Sequence, residues 1–206
     1  MKKILRFIVF AFLISATHSF AQTLVFEDNF TDNKNNWPQA KKTNSDIRLI
    51  PGREMYMIKY KLKETADACT SWIDIDLNEN KNFRISALLY KEGGVKNYGY
   101  GLLWGGKEDN YYSFLVSPGG FYSIGKVVDG IWQDLTPDWV ACDAVEQGRK
   151  GHNKLALSKI GDTYHFEINN QKVATMKLGP FFGNKIGFNV NNKQKIMVDW
   201  IKVEYL

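Results

Sequence analysis

Aromatic rings interleaved with polar side chains are the residues of this chain best placed to do chemistry. From Asn97 to Leu135 the sequence runs NYGYGLLWGGKEDNYYSFLVSPGGFYSIGKVVDGIWQDL. Tyr98, Tyr100, Trp104, Tyr112, Tyr122 and Trp132 fall on neighbouring strand-like segments, with Tyr111 at a loop edge. Such rings stack on the C–H faces of sugars, while nearby amides, carboxylates and amines satisfy the hydroxyls. Asn110, Asp109, Lys126 and Asp134 are the polar groups at hand. Tyr98, Trp104, Asn110, Tyr111 and Trp132 are accordingly the binding set expected from sequence. Strand alternation also turns about half of these rings into a core, and it gives Tyr100 and Trp104 the same face. Which rings face inward stays open at this stage.

The elements that must position these rings are strands almost from end to end. Outside the first 21 residues no window carries the i, i+3, i+4, i+7 apolar face of a helix. Strand-like runs recur at Leu24–Phe26, Ile47–Ile50, Met55–Leu62, Trp72–Leu77, Phe83–Tyr90, Tyr98–Trp104, Tyr112–Val116 and Phe121–Val127. They continue at Ile131–Leu135, Leu155–Lys159, Tyr164–Ile168, Lys172–Lys177, Lys185–Val190 and Met197–Tyr205. Turn signals at Pro51–Gly52, Asp129–Gly130, Gly161–Asp162 and Asn169–Asn170 separate them. About thirteen short strands suit two packed sheets better than one, and a jelly roll closes that number of strands. Alternation turns Phe83, Ile85, Ala87 and Leu89 inward together, likewise Tyr164, Phe166 and Ile168, and also Val198 with Trp200 or their neighbours one step away.

Composition narrows the partners. Lys2, Lys3 and Arg6 precede the apolar run Phe7–Ile14, and Ser19 and Ala21 occupy small-residue positions, so 1–21 reads as a secretory signal peptide. Residues 22–206 then form one β-sandwich domain that is secreted, periplasmic or in the cell envelope, with no membrane insertion once the signal is cut. Removing three of the 27 basic residues leaves a net charge of +2 against 22 acidic ones. So small an excess gives no electrostatic case for nucleic acid. Cys69 and Cys142 are the two cysteines, and in an oxidising compartment a disulfide and two free thiols are both open. His152 and His165 read as surface residues, and no Gly-x-Ser-x-Gly elbow supports a serine hydrolase.

A resemblance follows from motifs spread over most of 22–206. They are Phe26–Glu27–Asp28–Asn29–Phe30 with Trp37, then Asn82–Phe83–Arg84–Ile85 and Tyr98–Gly99–Tyr100–Gly101–Leu102. Asn110–Tyr111–Tyr112–Ser113–Phe114, Asn153–Lys154–Leu155, Ile186–Gly187–Phe188 and Val198–Asp199–Trp200–Ile201–Lys202–Val203 complete the series. In this order they resemble the concanavalin A-like lectin/glucanase superfamily, in the LamG-like form common in exported bacterial proteins. The resemblance implies an all-β, two-sheet antiparallel jelly-roll sandwich of a kind that often binds carbohydrate; non-catalytic, lectin-like binding is the expected function and a glycoside hydrolase the alternative.

Some relatives are glycosidases, and the E-x-D-x-E strand of the laminarinase-like ones is echoed by Trp72–Ile73–Asp74–Ile75–Asp76, with Trp at the nucleophile position. Asp74 and Asp76 lie roughly 6.5–7 Å apart along one strand face, a spacing near that of a carboxyl pair. Simple alternation accounts for the motif equally well, with Ile73 and Ile75 inside and Trp72, Asp74 and Asp76 outside. The N-S-G and E-x-Q elements of 3-keto-glycoside hydrolases are absent. A structural calcium between Asp28 and Asp199, where the terminal strands meet, is a further expectation, with Asp28 capping a turn as its alternative. An envelope interaction module is the third functional class.

Overall fold

The computed structural model describes residues 22–63 and 68–206, so the expected leader at 1–21 lies outside the described residues. In chain order the strands are β1 (Thr23–Asp28), β2 (Ala40–Lys41), β3 (Ser45–Ile50), β4 (Met55–Tyr60), β5 (Ala68–Asp74), β6 (Phe83–Gly94), β7 (Tyr100–Lys107) and β8 (Asn110–Ser117). They continue as β9 (Phe121–Val128), β10 (Ile131–Asp134), β11 (Val140–Ala141), β12 (His152–Ile160), β13 (Thr163–Ile168), β14 (Gln171–Lys177), β15 (Lys185–Asn191) and β16 (Gln194–Tyr205). A nine-stranded sheet runs β14-β13-β12-β6-β16-β4-β3-β2, with β1 also on β16. A seven-stranded sheet runs β10-β9-β8-β7-β15-β5, with β11 along β9. The two antiparallel sheets form a sandwich, the architecture that the turn spacing predicts.

Period-two alternation sets the core between them. Phe83, Ile85, Ala87 and Leu89 are buried on the inner face of β6, as are Tyr164, Phe166 and Ile168 on β13. Opposite them stand Tyr100, Leu102 and Trp104 of β7 and Phe114 of β8. Rings interlock across the gap: Phe166 meets Phe114 at 5.2 Å and Trp104 at 5.9 Å between centroids. Asp129 and Gly130 both take positive φ, the backbone of the tight hairpin their sequence predicts.

Four features depart from the expected pattern. β5 covers Ala68–Asp74 rather than Trp72–Leu77. The short strands β2 and β11 are additional. β7 starts at Tyr100, which leaves Tyr98 in the preceding loop. A register shift between Val198 and Trp200 moves inward parity to Ile201 and Val203, so Trp200 is half-buried while Val198 is fully buried.

Polar networks brace the sandwich. The Asp28 carboxylate accepts from the Phe30 backbone N–H at 2.7 Å, Asn35 Nδ2 at 2.7 Å and Trp37 Nε1 at 2.9 Å. Asn153 donates to the Tyr100 hydroxyl and accepts from Glu146 N and Asn169 Nδ2. Lys91 is 1 % exposed, with its ammonium on Gln194 Oε1. The Gln194 amide in turn donates to the Gly99 carbonyl at 3.1 Å, tying the nine-stranded sheet to the start of β7.

Burial pushes the Lys91 ammonium down from 10.5 to about 7. The unfolded chain therefore holds a proton there between about 7 and 10.5 that the folded protein has released. Stability rises with pH across that window, and the penalty is fully present below it. Urea denaturation between pH 7 and pH 10 should show this rise, and Lys91→Met should flatten it. An unchanged slope in the variant would assign the effect to another group.

Candidate functional site

The outer face of the seven-stranded sheet carries a cleft of about 470 Å³. Its floor follows from register. Trp72, Gly187, Leu103, Ser113, Gly125 and Asp134 form one row across β5, β15, β7, β8, β9 and β10. Thr70, Asn189, Gly101, Leu115 and Ser123 form the next. On the other flank Tyr111, Val127 and Trp132 are in register. Because Tyr100, Leu102 and Trp104 point inward, the residues between them must point outward. Leu103 and Leu115 are accordingly buried yet outside the core cluster.

Glycines let three tryptophans lie close against this face. A Cβ on Gly125 would stand 2.2 Å from the Trp132 ring. One on Gly106 would stand 2.9 Å from Trp72, and one on Gly99 2.6 Å from Trp139. No side chain but hydrogen fits beneath these rings. Trp132 remains 38 % exposed and donates its indole N–H to Asp134 Oδ1 at 2.7 Å. Trp72 meets Tyr111 edge to face at 5.1 Å. Trp139 is placed by its own segment: Ile124 N donates to Thr136 Oγ1, Val140 pairs with Tyr122, and Cys142 N donates to Gly120 O.

Between the rings the floor is polar and incompletely paired. Asn189 lines the cleft at 4 % exposure, with its Oδ1 buried and without a protein donor. Asn191 Oδ1 and Ser113 Oγ are likewise buried and unpartnered. A buried polar atom without a partner costs about 1–3 kcal/mol, and a polar ligand or water can recover part of it.

The residues expected from sequence divide between cleft and core. Tyr111, Trp132, Asp109 and Asp134 line the cleft. Trp104 does not: it is fully buried, stacked on Tyr112 at 5.6 Å, and unavailable to a ligand. Tyr100, Tyr112 and Tyr122 are core rings on the same inward parity. Asn110 Oδ1 accepts from the Asp129 N–H and steadies the hairpin. Tyr98 is half-buried and outside the cleft lining. Lys126 shares the inward parity of Ile124, so it too stands outside the cleft.

Asp74 and Asp76 are exposed at the sheet edge, with Ile73 and Ile75 buried between them, as simple alternation requires. Asp28 caps a turn, with both carboxylate oxygens holding donors, while Asp199 accepts from the Tyr90 hydroxyl at 3.4 Å. Asp28 pairs with Ile201 and Asp199 sits at the β16 bulge, so register does not set the two opposite each other. Cys69 and Cys142 are free thiols. Cys69 lies on β5 and Cys142 beside β9, with β15, β7 and β8 between them. Four strand spacings, roughly 19 Å, far exceed disulfide reach. Burial pushes the Cys69 thiol up to about 11, which leaves it unreactive.

Trp139, Asn189, Asn191 and the underlying glycines are cleft residues that the aromatic pattern misses. The run Phe188–Asn189–Val190–Asn191 did carry a signal, since it sets two amides on one face of a strand otherwise built for burial.

No protein-family model matches the chain, and no curated protein matches it by sequence. Solved structures do match. Carbohydrate binding module CBM66 from Bacillus subtilis aligns with a TM-score of 0.54 at 12% identity, covering 86% of this chain and 98% of that one. The CBM2 module of the evolved Dit protein of Lactobacillus casei BL23 phage J-1 gives 0.52 at 13%, covering 89% and 96%. Xylan beta-1,4-xylosidase from Bacillus halodurans C-125 gives 0.60 at 12% over 86% of this chain, which spans 38% of the enzyme. At these identities the likeness shows a shared β-sandwich fold.

Substitution separates the two tryptophan classes. Trp104→Ala should cost about 3–5 kcal/mol in urea denaturation, the price of a core cavity. Gly125→Ala should change stability by about 1 kcal/mol at most, yet lift Trp132 from its seat and shift its fluorescence to the red. Unchanged emission in Gly125→Ala would mean that the ring does not rest on the glycine.

Proposed function

We propose that the protein binds carbohydrate in the outer cleft of the seven-stranded sheet and does not cleave it. One observation carries this reading: Trp132 and Trp139 rest on glycines and, with Tyr111, line a cleft whose floor includes buried, unpartnered polar atoms. Flat apolar platforms suit pyranose C–H faces, and the floor suits hydroxyls. The shared fold with two structures named as carbohydrate-binding modules supports it. The concanavalin A-like, LamG-like resemblance belongs to the same proposal, as does export directed by the 1–21 leader. Calcium has no part in it. Against hydrolysis by Asp74 and Asp76 stands their place: both are exposed, and neither lines the cleft.

A glycan-array screen of residues 22–206, with and without calcium, tests the reading. Selective binding is expected, unaltered by chelation, and weakened about tenfold or more by Trp132→Ala or Trp139→Ala. Asp74→Ala should leave it intact. Turnover of a bound glycan that Asp74→Ala abolishes would make the protein a glycosidase. Failure to bind any glycan would overturn the proposal and point to a protein partner.

A further inference from the structure

The cleft has a charge sense, and that sense defines the glycan it would take. Asp109, Asp134 and Asp138 stand on its wall. Among the described residues no lysine, arginine or histidine lines it. Lys96 belongs to a separate depression that shares only Trp139 with the cleft, and Lys185 pairs with Asp74 at the sheet edge. The floor adds the neutral amides of Asn189 and Asn191, whose Oδ1 atoms are buried without a protein donor, and the Asn189 side chain is more than nine-tenths buried in the cleft.

Acceptors are satisfied by ligand groups that donate. A sugar hydroxyl donates one hydrogen, and a sugar ammonium donates three and adds a positive charge. A carboxylate or sulfate offers acceptors alone and faces like charges across a cleft with no cation to receive it. Asp134 makes this selective at the point of stacking. Its bond from Trp132 Nε1 fixes a carboxylate at the rim of the ring where a sugar would lie.

Resting on the carbohydrate-binding reading, we infer that the cleft selects glycans by charge. Sugars with free amino groups bind best, neutral sugars bind less tightly, and uronate- or sulfate-bearing chains are refused.

The test uses glucosamine oligomers, their N-acetylated counterparts and uronate oligomers, alongside an array carrying amino, neutral and anionic sugars on several backbones. Binding is measured at mildly acidic pH in low and high salt. The amino form should bind about tenfold more tightly than the N-acetylated form at low salt, with the ratio shrinking at high salt. The triple variant Asp109→Asn, Asp134→Asn, Asp138→Asn should bring the ratio toward one. Asp74→Asn with Asp76→Asn, which removes carboxylates outside the cleft, should preserve it; loss in this variant would reveal non-specific attraction and overturn the inference. Neutral glycans bound as tightly as amino ones, or any uronate bound strongly, would overturn charge selection and leave carbohydrate binding standing. Silence across the whole array would overturn the underlying reading and this inference with it.

Discussion

Adjacent side chains on a β-strand point to opposite faces, and this single constraint builds both halves of the molecule. On β7, turning Tyr100, Leu102 and Trp104 into the core obliges Gly101 and Leu103 to face out. On β15 the inward positions of Ile186, Phe188 and Val190 likewise present Gly187, Asn189 and Asn191. The cleft floor is thus the complement of the core. A one-residue slip of β7 or β15 would bury amides and expose rings together, so the register that makes the fold stable is also what makes the cleft.

A second consequence concerns space. Large rings can lie against a sheet only where the strand below offers no side chain. Gly99, Gly106 and Gly125 provide that room for Trp139, Trp72 and Trp132. Glycine within a strand weakens it, and Gly106 on β7 and Gly125 on β9 fall on strands that have neighbours on both sides, where the ladder is best supported. The unpartnered oxygens of Ser113, Asn189 and Asn191 likewise cost stability on this face, since each is buried without a donor.

Much of this was legible in the sequence, and the limit has a physical form. Alternation identified which residues share a face: Phe83 with Ile85, Ala87 and Leu89, and Ile73 with Ile75. It could not tell which face of β7 was inward, because that depends on the partner sheet, and so Trp104 was grouped with Trp132. The bulge at Asp199 broke parity within β16 and moved Trp200 out of the inward set. Trp139 leaves no signal in the sequence, because its segment is held by bonds to β9 rather than by a pattern of its own. Trp72 was placed outside correctly, but its contact with Tyr111 spans β15 and β7 and leaves no trace in local spacing.

The cleft is held from two directions, and these differ in how firmly they fix it. Trp132 is steadied locally by Asp134, and Tyr111 by its edge-to-face contact with Trp72, so both cleft rings are held in place by near neighbours. Trp139 depends on more distant support. The Gly99 beneath it accepts hydrogen bonds from Asn191 N and from the Gln194 amide, and Gln194 is the hydrogen-bond partner of the buried Lys91 ammonium. The same amide also donates to the Asn191 carbonyl, so one glutamine anchors the strand positions of two cleft residues. A charge buried with a single neutral partner is costly, yet its alternative is a shorter apolar side chain that would leave Gln194 Oε1 without a donor. The lysine is therefore best understood through what it holds: it completes the network that keeps the start of β7, and the ring above it, at a fixed height over the floor.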